Sequence, residues 1–349
     1  MPEIDRLILA FNDPGVVELI INDDGSVYVE RSDAALEKVD FEASPQEVEG
    51  LLLALAGELA FGPQRPYADL SAPDGSRIHV LAPPIVRGGL AVTIRKRPPR
   101  RPSLGELTQW GALTPSCAGF LEYAVAQHKN VLVVGGTSSG KTTMLNALCA
   151  LIGPRERILV IEDTPELSLP LPHVVYMKTR LRDAGGLADV TLRDLIINTL
   201  RMRPDRIVVG EVRGPEALDL LQAMNIGQEG VMSTLHANSA REALQRLETL
   251  VLMAGLDMPL KALRGNVALA LDLIVFMARL SDGSRRVVQV VEVTGLELEN
   301  ILLSDLYKTE SRKSASGIDF TLRPTGAIPR FFEQLRQQGF QPPIEFFRE

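Results

Sequence analysis

The chain is poor in cysteine: it has only Cys117 and Cys149, far apart and outside any CxxC or Cys/His spacing that holds zinc. That excludes a disulfide scaffold and a cysteine-based zinc site, and it predicts two buried thiols in a reducing compartment. Long apolar runs are missing too. The longest, Val267–Leu280, is too short for a bilayer and carries Asp272, and the N-terminus shows no charged-then-apolar signal pattern. Membrane association is therefore expected through partner proteins or surface contact. Positive charge is not in excess: the formal net charge of -7 argues against broad binding to nucleic acid, despite the local run Arg95-Lys96-Arg97 and Arg100-Arg101. No repeat or low-complexity tract occurs. What is present is a 349-residue chain, 45% hydrophobic and 23% charged, long enough for two globular domains.

The first hundred residues read as a small mixed domain. Apolar strands run around Val16–Ile21 and Val27–Val29, joined by the turn Asp23-Asp24-Gly25-Ser26. Ser44 caps a helix with Pro45 at its first position and Glu47 reaching back, and Val48, Leu51, Leu52, Leu55 and Leu59 form its apolar stripe. Two more strands are expected near Arg77–Leu81 and Ala91–Arg95. The segment Arg97-Pro98-Pro99-Arg100-Arg101-Pro102 cannot continue a helix or a central strand, which places a stiff linker at residues 98–105. Beyond it, short apolar strands alternate with helices, the pattern of an α/β domain with a mostly parallel sheet covered on both faces. Val131-Leu132-Val133-Val134, Ile158-Leu159-Val160-Ile161 and Ile207-Val208-Val209 are its clearest buried strands. Each ends in polar residues, and ligands of such sheets lie beyond the carboxyl ends of the strands.

One of those ends carries Gly135, Gly136, Thr137, Ser138, Ser139, Gly140, Lys141, Thr142 and Thr143, which satisfies GxxxxGK[ST] between a strand and a helix. Glycines let backbone N–H groups turn inward around phosphates, and the helix N-terminus adds positive potential. Lys141 can then neutralise β/γ oxygens, and the Thr142 hydroxyl can ligate Mg²⁺. The following helix has the stripe Met144, Leu145, Leu148, Cys149, Ile152 and stops at Gly153-Pro154. That context separates the motif from a chance glycine-rich turn.

Such a site also needs carboxylates, one holding hydrated Mg²⁺ and one orienting the attacking water. Glu211, after the apolar strand ending in Gly210, is assigned to the water and, through water, to the metal; Glu162 is the second candidate. Asp163 and Glu166 follow Glu162 and read equally well as capping or solvated acids. A fourth strand leads from Gly227 to His236, before the capping box Ser239-Ala240-Arg241-Glu242. A histidine stranded there suits a γ-phosphate sensor, although lone histidines are more often structural. His79, His128 and His173 have no such setting.

These four segments, Gly135–Thr143, Ile161–Glu166, Ile207–Arg213 and Gly227–Ser239, resemble the Walker A loop, Asp box, Walker B strand and histidine box of the type II/type IV secretion and pilus-assembly ATPases. Leu200–Arg206, Arg246–Gly255 and Ser281–Val287 look like the tight-adherence (Tad) pilus branch, the CpaF-like ATPases. The resemblance implies a PAS-like N-terminal domain at 1–97, a RecA-like ATPase domain at 106–299 and a tail at 300–349 to which no chemistry is assigned, with a loop at Lys313–Gly317. It implies a cytoplasmic homo-hexamer, peripheral at the inner membrane face, that hydrolyses ATP with Mg²⁺ and acts on integral inner-membrane platform proteins, with no direct contact to nucleic acid. Nucleotide would lie between the two domains, and N-terminal arginines would clamp the γ-phosphate. An Arg ahead of a Pro-Pro pair and then Thr-Ile-Arg-Lys match Arg77, Pro83-Pro84 and Thr93–Lys96, so Arg77 and Arg95 are the clamp candidates, with Arg97 behind them. Two departures stand out. Ser138 replaces a frequent glycine, which stiffens the loop, and the chain begins near the N-terminal domain, so partner recognition through the long leading extension of many relatives is not expected. The missing cysteine clusters favour the Tad or type IV secretion branches. A conjugation or protein-export ATPase and a nucleotide-gated scaffold with little turnover remain the alternatives.

Overall fold

The computed structural model describes residues 4–31, 35–57, 59, 61–97, 101–180, 188–255, 257–314 and 317–348. The chain forms two compact units, Met1–Arg100 and Arg101–Glu349.

The first unit runs α1 (Ile4–Asn12), β1 (Val16–Ile21), β2 (Ser26–Arg31), β3 (Glu37–Glu42), α2 (Pro45–Ala56), β4 (Tyr67–Ser71), β5 (Arg77–Leu81) and β6 (Ala91–Arg95). Its six strands pair antiparallel in the order β3-β2-β1-β6-β5-β4. Helix α2 begins where the sequence places it: the Ser44 side chain accepts from the Glu47 amide while Glu47 accepts from the Ser44 amide at 2.6 Å, and Gly57 closes the helix in the left-handed region. Val48, Leu51 and Leu52 of α2 join Leu7 of α1 over Leu19, Ile21, Ile78, Val80, Val92 and Ile94. Because side chains alternate along a strand, burying Ile78, Val80, Val92 and Ile94 leaves Arg77, His79, Thr93 and Arg95 on the opposite face.

The second unit runs α3 (Leu104–Gln109), α4 (Pro115–Ala126), β7 (Val131–Gly135), α5 (Lys141–Cys149), β8 (Ile158–Glu162), β9 (Val174–Lys178), α6 (Leu192–Thr199), β10 (Arg206–Val212), α7 (Glu216–Asn225), β11 (Met232–His236), α8 (Ala240–Leu252), α9 (Leu260–Ala270), β12 (Leu273–Arg279), β13 (Arg285–Glu297), β14 (Asn300–Ser314), β15 (Gly317–Pro324) and α10 (Arg330–Gln337). Its sheet has the order β15-β14-β13-β12-β7-β11-β10-β8-β9, parallel from β12 to β9 and antiparallel from β12 to β15. In β7, Val131 and Val133 enter the core shared with α3, α4 and α5, while Leu132 and Val134 enter the core shared with α6, α7, α8 and α9. A central strand covered on both sides has no polar face, which is why these segments read as unbroken apolar runs. No described helix is long and apolar enough to cross a membrane.

Three expectations are corrected. Residues 300–349 are not a tail: β14 pairs with β13 from Glu297↔Asn300 to Gln289↔Lys308, and Tyr307, Phe331, Phe332 and Phe347 pack around Phe120. A strand pair with one solvated face alternates too many polar residues to look buried in the sequence. The loop expected at Lys313–Gly317 shrinks, since β14 extends to Ser314 and β15 starts at Gly317; residues 315 and 316 lie outside the described residues. The linker is shorter as well, because Ser103 caps α3 and Arg101 donates to the Glu166 carbonyl inside the second unit; residues 98–100 lie outside the described residues.

Glu292 on β13 is 6% exposed, and its carboxylate accepts from the Arg330 amide at 2.7 Å, capping α10 from a distance. Burial pushes this acid up from 4.5 to about 7; the Arg330 and Phe331 amides and the Arg330 charge oppose the rise, and Asp272 adds to it. The folded chain thus keeps a proton that the unfolded chain releases, so stability falls as pH rises from 4.5 to about 7 and stays lower above it. Replacing Glu292 with Gln removes that loss. The variant is expected to exceed the parent in urea-unfolding stability by up to about 3 kcal/mol at pH 8 and to match it near pH 4.

Candidate active site

The carboxyl ends of β7, β11, β10 and β8 lie side by side, and each delivers one sequence-predicted segment. Gly135 at the end of β7 pairs in register with His236 at the end of β11, and the Ala237 amide donates to the Gly135 carbonyl. Thr234 on β11 donates its hydroxyl to the Gly210 carbonyl on β10 at 2.8 Å, which ties the histidine strand to the strand that carries Glu211.

The loop between β7 and α5 turns through Ser138 at φ 56° and Gly140 at φ 95°, the latter serving as the N-cap of α5. Ser138 occupies the left-handed region at a cost of roughly 1–2 kcal/mol for a residue with a Cβ, so this departure from glycine is built into the loop as local strain. Gly135 has no alternative: a Cβ there would lie 2.4 Å from the Met277 carbonyl oxygen of β12 and 2.4 Å from Ser139 Oγ. At Gly136, by contrast, a Cβ would meet nothing within 4 Å. Its carbonyl accepts from Ser139 Oγ at 2.9 Å and from Lys141 Nζ at 2.8 Å. Lys141 therefore rests on a loop carbonyl, a neutral acceptor that a phosphate would displace. Burial holds the Lys141 ammonium below its ordinary range; Glu211 and Glu166 counter that effect and Arg213 adds to it. All three groups thus stand within electrostatic reach of the loop lysine. Thr142 and Thr143 are half-buried in the first turn of α5, beside Lys141.

Glu211 ends up where the motif places it but not alone. Its Oε2 accepts from Arg213 Nε at 2.9 Å and Nη2 at 2.5 Å, and its side chain is 25% exposed. Arg213 follows directly on the last residue of β10, so its pairing with Glu211 is a local one. Arg213 is in turn fixed by its backbone: its amide and that of Gly214 donate to Glu216 Oε1 at 2.7 and 2.8 Å. A cavity of about 430 Å³ opens beside Arg213 against α8, lined also by Glu242, Gln245, Arg246 and Met253.

Glu162 is buried, and its Oε1 accepts from the amides of Glu166 and Leu167 at 2.8 and 2.9 Å. That oxygen folds the acidic segment back over β8. Asn146, buried on α5, holds the same segment by accepting from the Ser168 amide at 2.9 Å. Asp163 carries a carboxyl raised by burial, in the field of Arg213, Glu216 and Glu211. The imidazole of His236 has no hydrogen-bond partner among the described residues. No group of three or more His, Cys, Asp or Glu among the described residues has metal-holding geometry.

Arg77 and Arg95 lie in the first unit, directly opposite each other on β5 and β6, with Glu18 of β1 on the far side of Arg95. Arg77 is half-buried and Arg95 exposed. Like charges facing across a ladder are unfavourable, and an anion between them would relieve that. Arg97 donates its amide to Ser76 Oγ at 3.2 Å at the edge of the same sheet.

Comparison with known proteins gives concordant results. Residues 4–315 match the family described as type II/IV secretion system protein. A putative conjugal transfer protein of Mycobacterium tuberculosis is 40% identical over 214 residues, 61% of this chain and 60% of the relative, so the chain spans less than two thirds of that protein. The probable conjugal transfer protein TrbB of Sinorhizobium fredii is 35% identical over 306 residues, covering 83% of this chain and 86% of TrbB. Among solved structures, the Legionella pneumophila ATPase DotB superposes with a TM-score of 0.60 at 20% identity, covering 83% of this chain and 80% of DotB, a likeness of fold. With the family matched over most of its length and a relative aligned nearly end to end, the chain belongs to the type II/IV secretion system protein family.

Proposed function

We propose that this protein is an ATP-hydrolysing motor of a secretion or Tad-like pilus apparatus. The observation that carries the proposal is the meeting of the glycine loop with Lys141, Glu211 and His236 at adjacent carboxyl ends of one parallel sheet. On this reading the second unit is a RecA-like motor domain, the first a PAS-like domain, and six copies form a ring at the inner face of the membrane against integral platform proteins.

Lys141 leaves the Gly136 carbonyl for β/γ oxygens, and the loop amides from Gly136 to Thr143 gather the remaining charge. Glu211 orients the attacking water and takes its proton, His236 reports the γ-phosphate from the end of β11, and Arg77 and Arg95, of this copy or of a neighbouring one, add positive charge. Mg²⁺, when bound, would neutralise charge on the β and γ oxygens, held by the Thr142 hydroxyl and, through water, by Glu211. The open space at Gly136 and the Thr142 hydroxyl in the first turn of α5 fit this arrangement, which takes most metal ligands from phosphate and water. Loss of the γ-phosphate contacts would be coupled to mechanical work.

Steady-state phosphate release with ATP and Mg²⁺ tests the reading. The wild type is expected to turn over, Lys141→Ala to lose both binding and turnover, and Arg77→Ala/Arg95→Ala to bind ATP but hydrolyse it at least tenfold more slowly, by roughly the contribution of a charge contact made in the transition state. ATP binding without phosphate release in the wild type would instead indicate a nucleotide-gated scaffold. A second reading, a conjugation or type IV secretion ATPase exporting protein or DNA–protein cargo, is favoured by the TrbB relative. The membrane protein that co-purifies with this chain separates the two.

A further inference from the structure

Strand β7 has two neighbours, β11 and β12, and Glu211 and His236 lie on the β11 and β10 side. The β12 and β13 side carries a different group. Arg285, the first residue of β13, donates Nε to the Ser138 carbonyl at 3.0 Å, 147 residues away in sequence. Its Cβ and Cδ lie 3.8 and 3.7 Å from where a Cβ on Gly140 would be, so the side chain runs along the outer wall of the loop. Arg285 is exposed, and both Nη atoms are without a partner among the described residues.

The hairpin before it is tightly organised. Asp282 Oδ1 accepts from the Ser284 amide at 2.8 Å and from its hydroxyl at 2.6 Å. The adjacent Arg286 is spent on that turn, donating to Ser284 Oγ, to Asp282 Oδ2 and to the Phe320 carbonyl. Two arginines in succession on a strand point to opposite faces, and here one staples the hairpin while the other presents a guanidinium edge beside the loop.

A polyphosphate lying along this loop has a polarity. Its terminal phosphate must face Glu211 and the Lys141 ammonium, so the opposite end leaves toward β12 and β13. A guanidinium with free Nη donors can there pair with an α-phosphate oxygen or stack on a base. We infer that Arg285 is a nucleotide-binding residue that engages the nucleoside end, from α-phosphate to base, of a nucleoside di- or triphosphate. The inference rests on the nucleotide-binding reading above and adds to it the direction in which the ligand lies.

The test compares the affinities of ADP and inorganic pyrophosphate, measured by titration calorimetry, for the intact protein and for Arg285→Ala. Arg285→Ala is expected to weaken ADP roughly tenfold, the size of one charge-assisted contact, while pyrophosphate affinity stays within about twofold. Equal weakening of both ligands would show that Arg285 only tethers the loop and would overturn the inference. Unchanged ADP affinity would overturn it as well. A wild-type protein that binds neither ligand would be a distinct result, overturning the nucleotide-binding reading itself.

Discussion

Glu211→Gln is expected to keep ADP and ATP affinity close to wild type and to lower steady-state phosphate release by about 10²- to 10³-fold, the range for losing a positioned general base. Binding survives because the loop amides and Lys141, not Glu211, hold the phosphates. Chemistry fails because an amide cannot take a proton from the attacking water. The Arg213 contact sharpens the expectation. In this structure Glu211 Oε2 is occupied by two Arg213 donors, which fixes the carboxylate and leaves Oε1 to address a water. Calorimetric affinity and phosphate release measured on one preparation check the result. Turnover like that of the wild type would remove Glu211 from the reaction and shift attention to Asp163, whose burial-raised carboxyl lies in the same field.

Removing Glu156 is expected to destabilise the second unit by about 3–5 kcal/mol, because it strands a buried charge. Arg206, the first residue of β10, is 1% exposed; it donates Nε to Glu156 Oε2 at 2.5 Å and Nη2 to the Val125 carbonyl at 2.8 Å. Its Nη1 is buried with no hydrogen-bond partner, against Gly230, where a Cβ would come within 2.1 Å. Gly230 closes that side of the guanidinium. With Glu156→Ala the guanidinium keeps its desolvation cost and loses its counter-charge. The double variant Glu156→Ala/Arg206→Met is expected to recover most of the loss, since an apolar chain of similar length fills the same space without a charge. Urea unfolding of the two single variants and the double gives the coupling directly. A Glu156→Ala loss below about 1 kcal/mol would mean that the pair behaves like a surface ion pair.

Much of the fold and of the site was legible in the chain itself. The capped helix at Ser44, the buried strands at 131–134, 158–161 and 207–209, and the glycine loop were each written in contiguous residues whose pattern follows from one local rule. The site was legible to the same depth: Lys141, Glu211 and His236 sit at strand ends that the parallel architecture brings together. The two backbone amides on Glu162 Oε1 were not legible, because a carboxylate at a strand end looks the same in sequence whether it faces a ligand or the backbone. The β13–β15 extension was missed because one solvated face dilutes its apolar pattern with lysine, glutamate and serine.

The sequence by itself determined the loop, the strands that carry the motifs and the residue types available to bind and cleave a phosphate. Only the tertiary structure decided which distant groups meet: Arg206 with Glu156, and Arg285 with the Ser138 carbonyl. The physical reason is range. Backbone geometry and helix caps depend on neighbours a few residues away, whereas the partner of a long charged side chain is set by strand order and register across 50 to 147 residues, which no local pattern encodes.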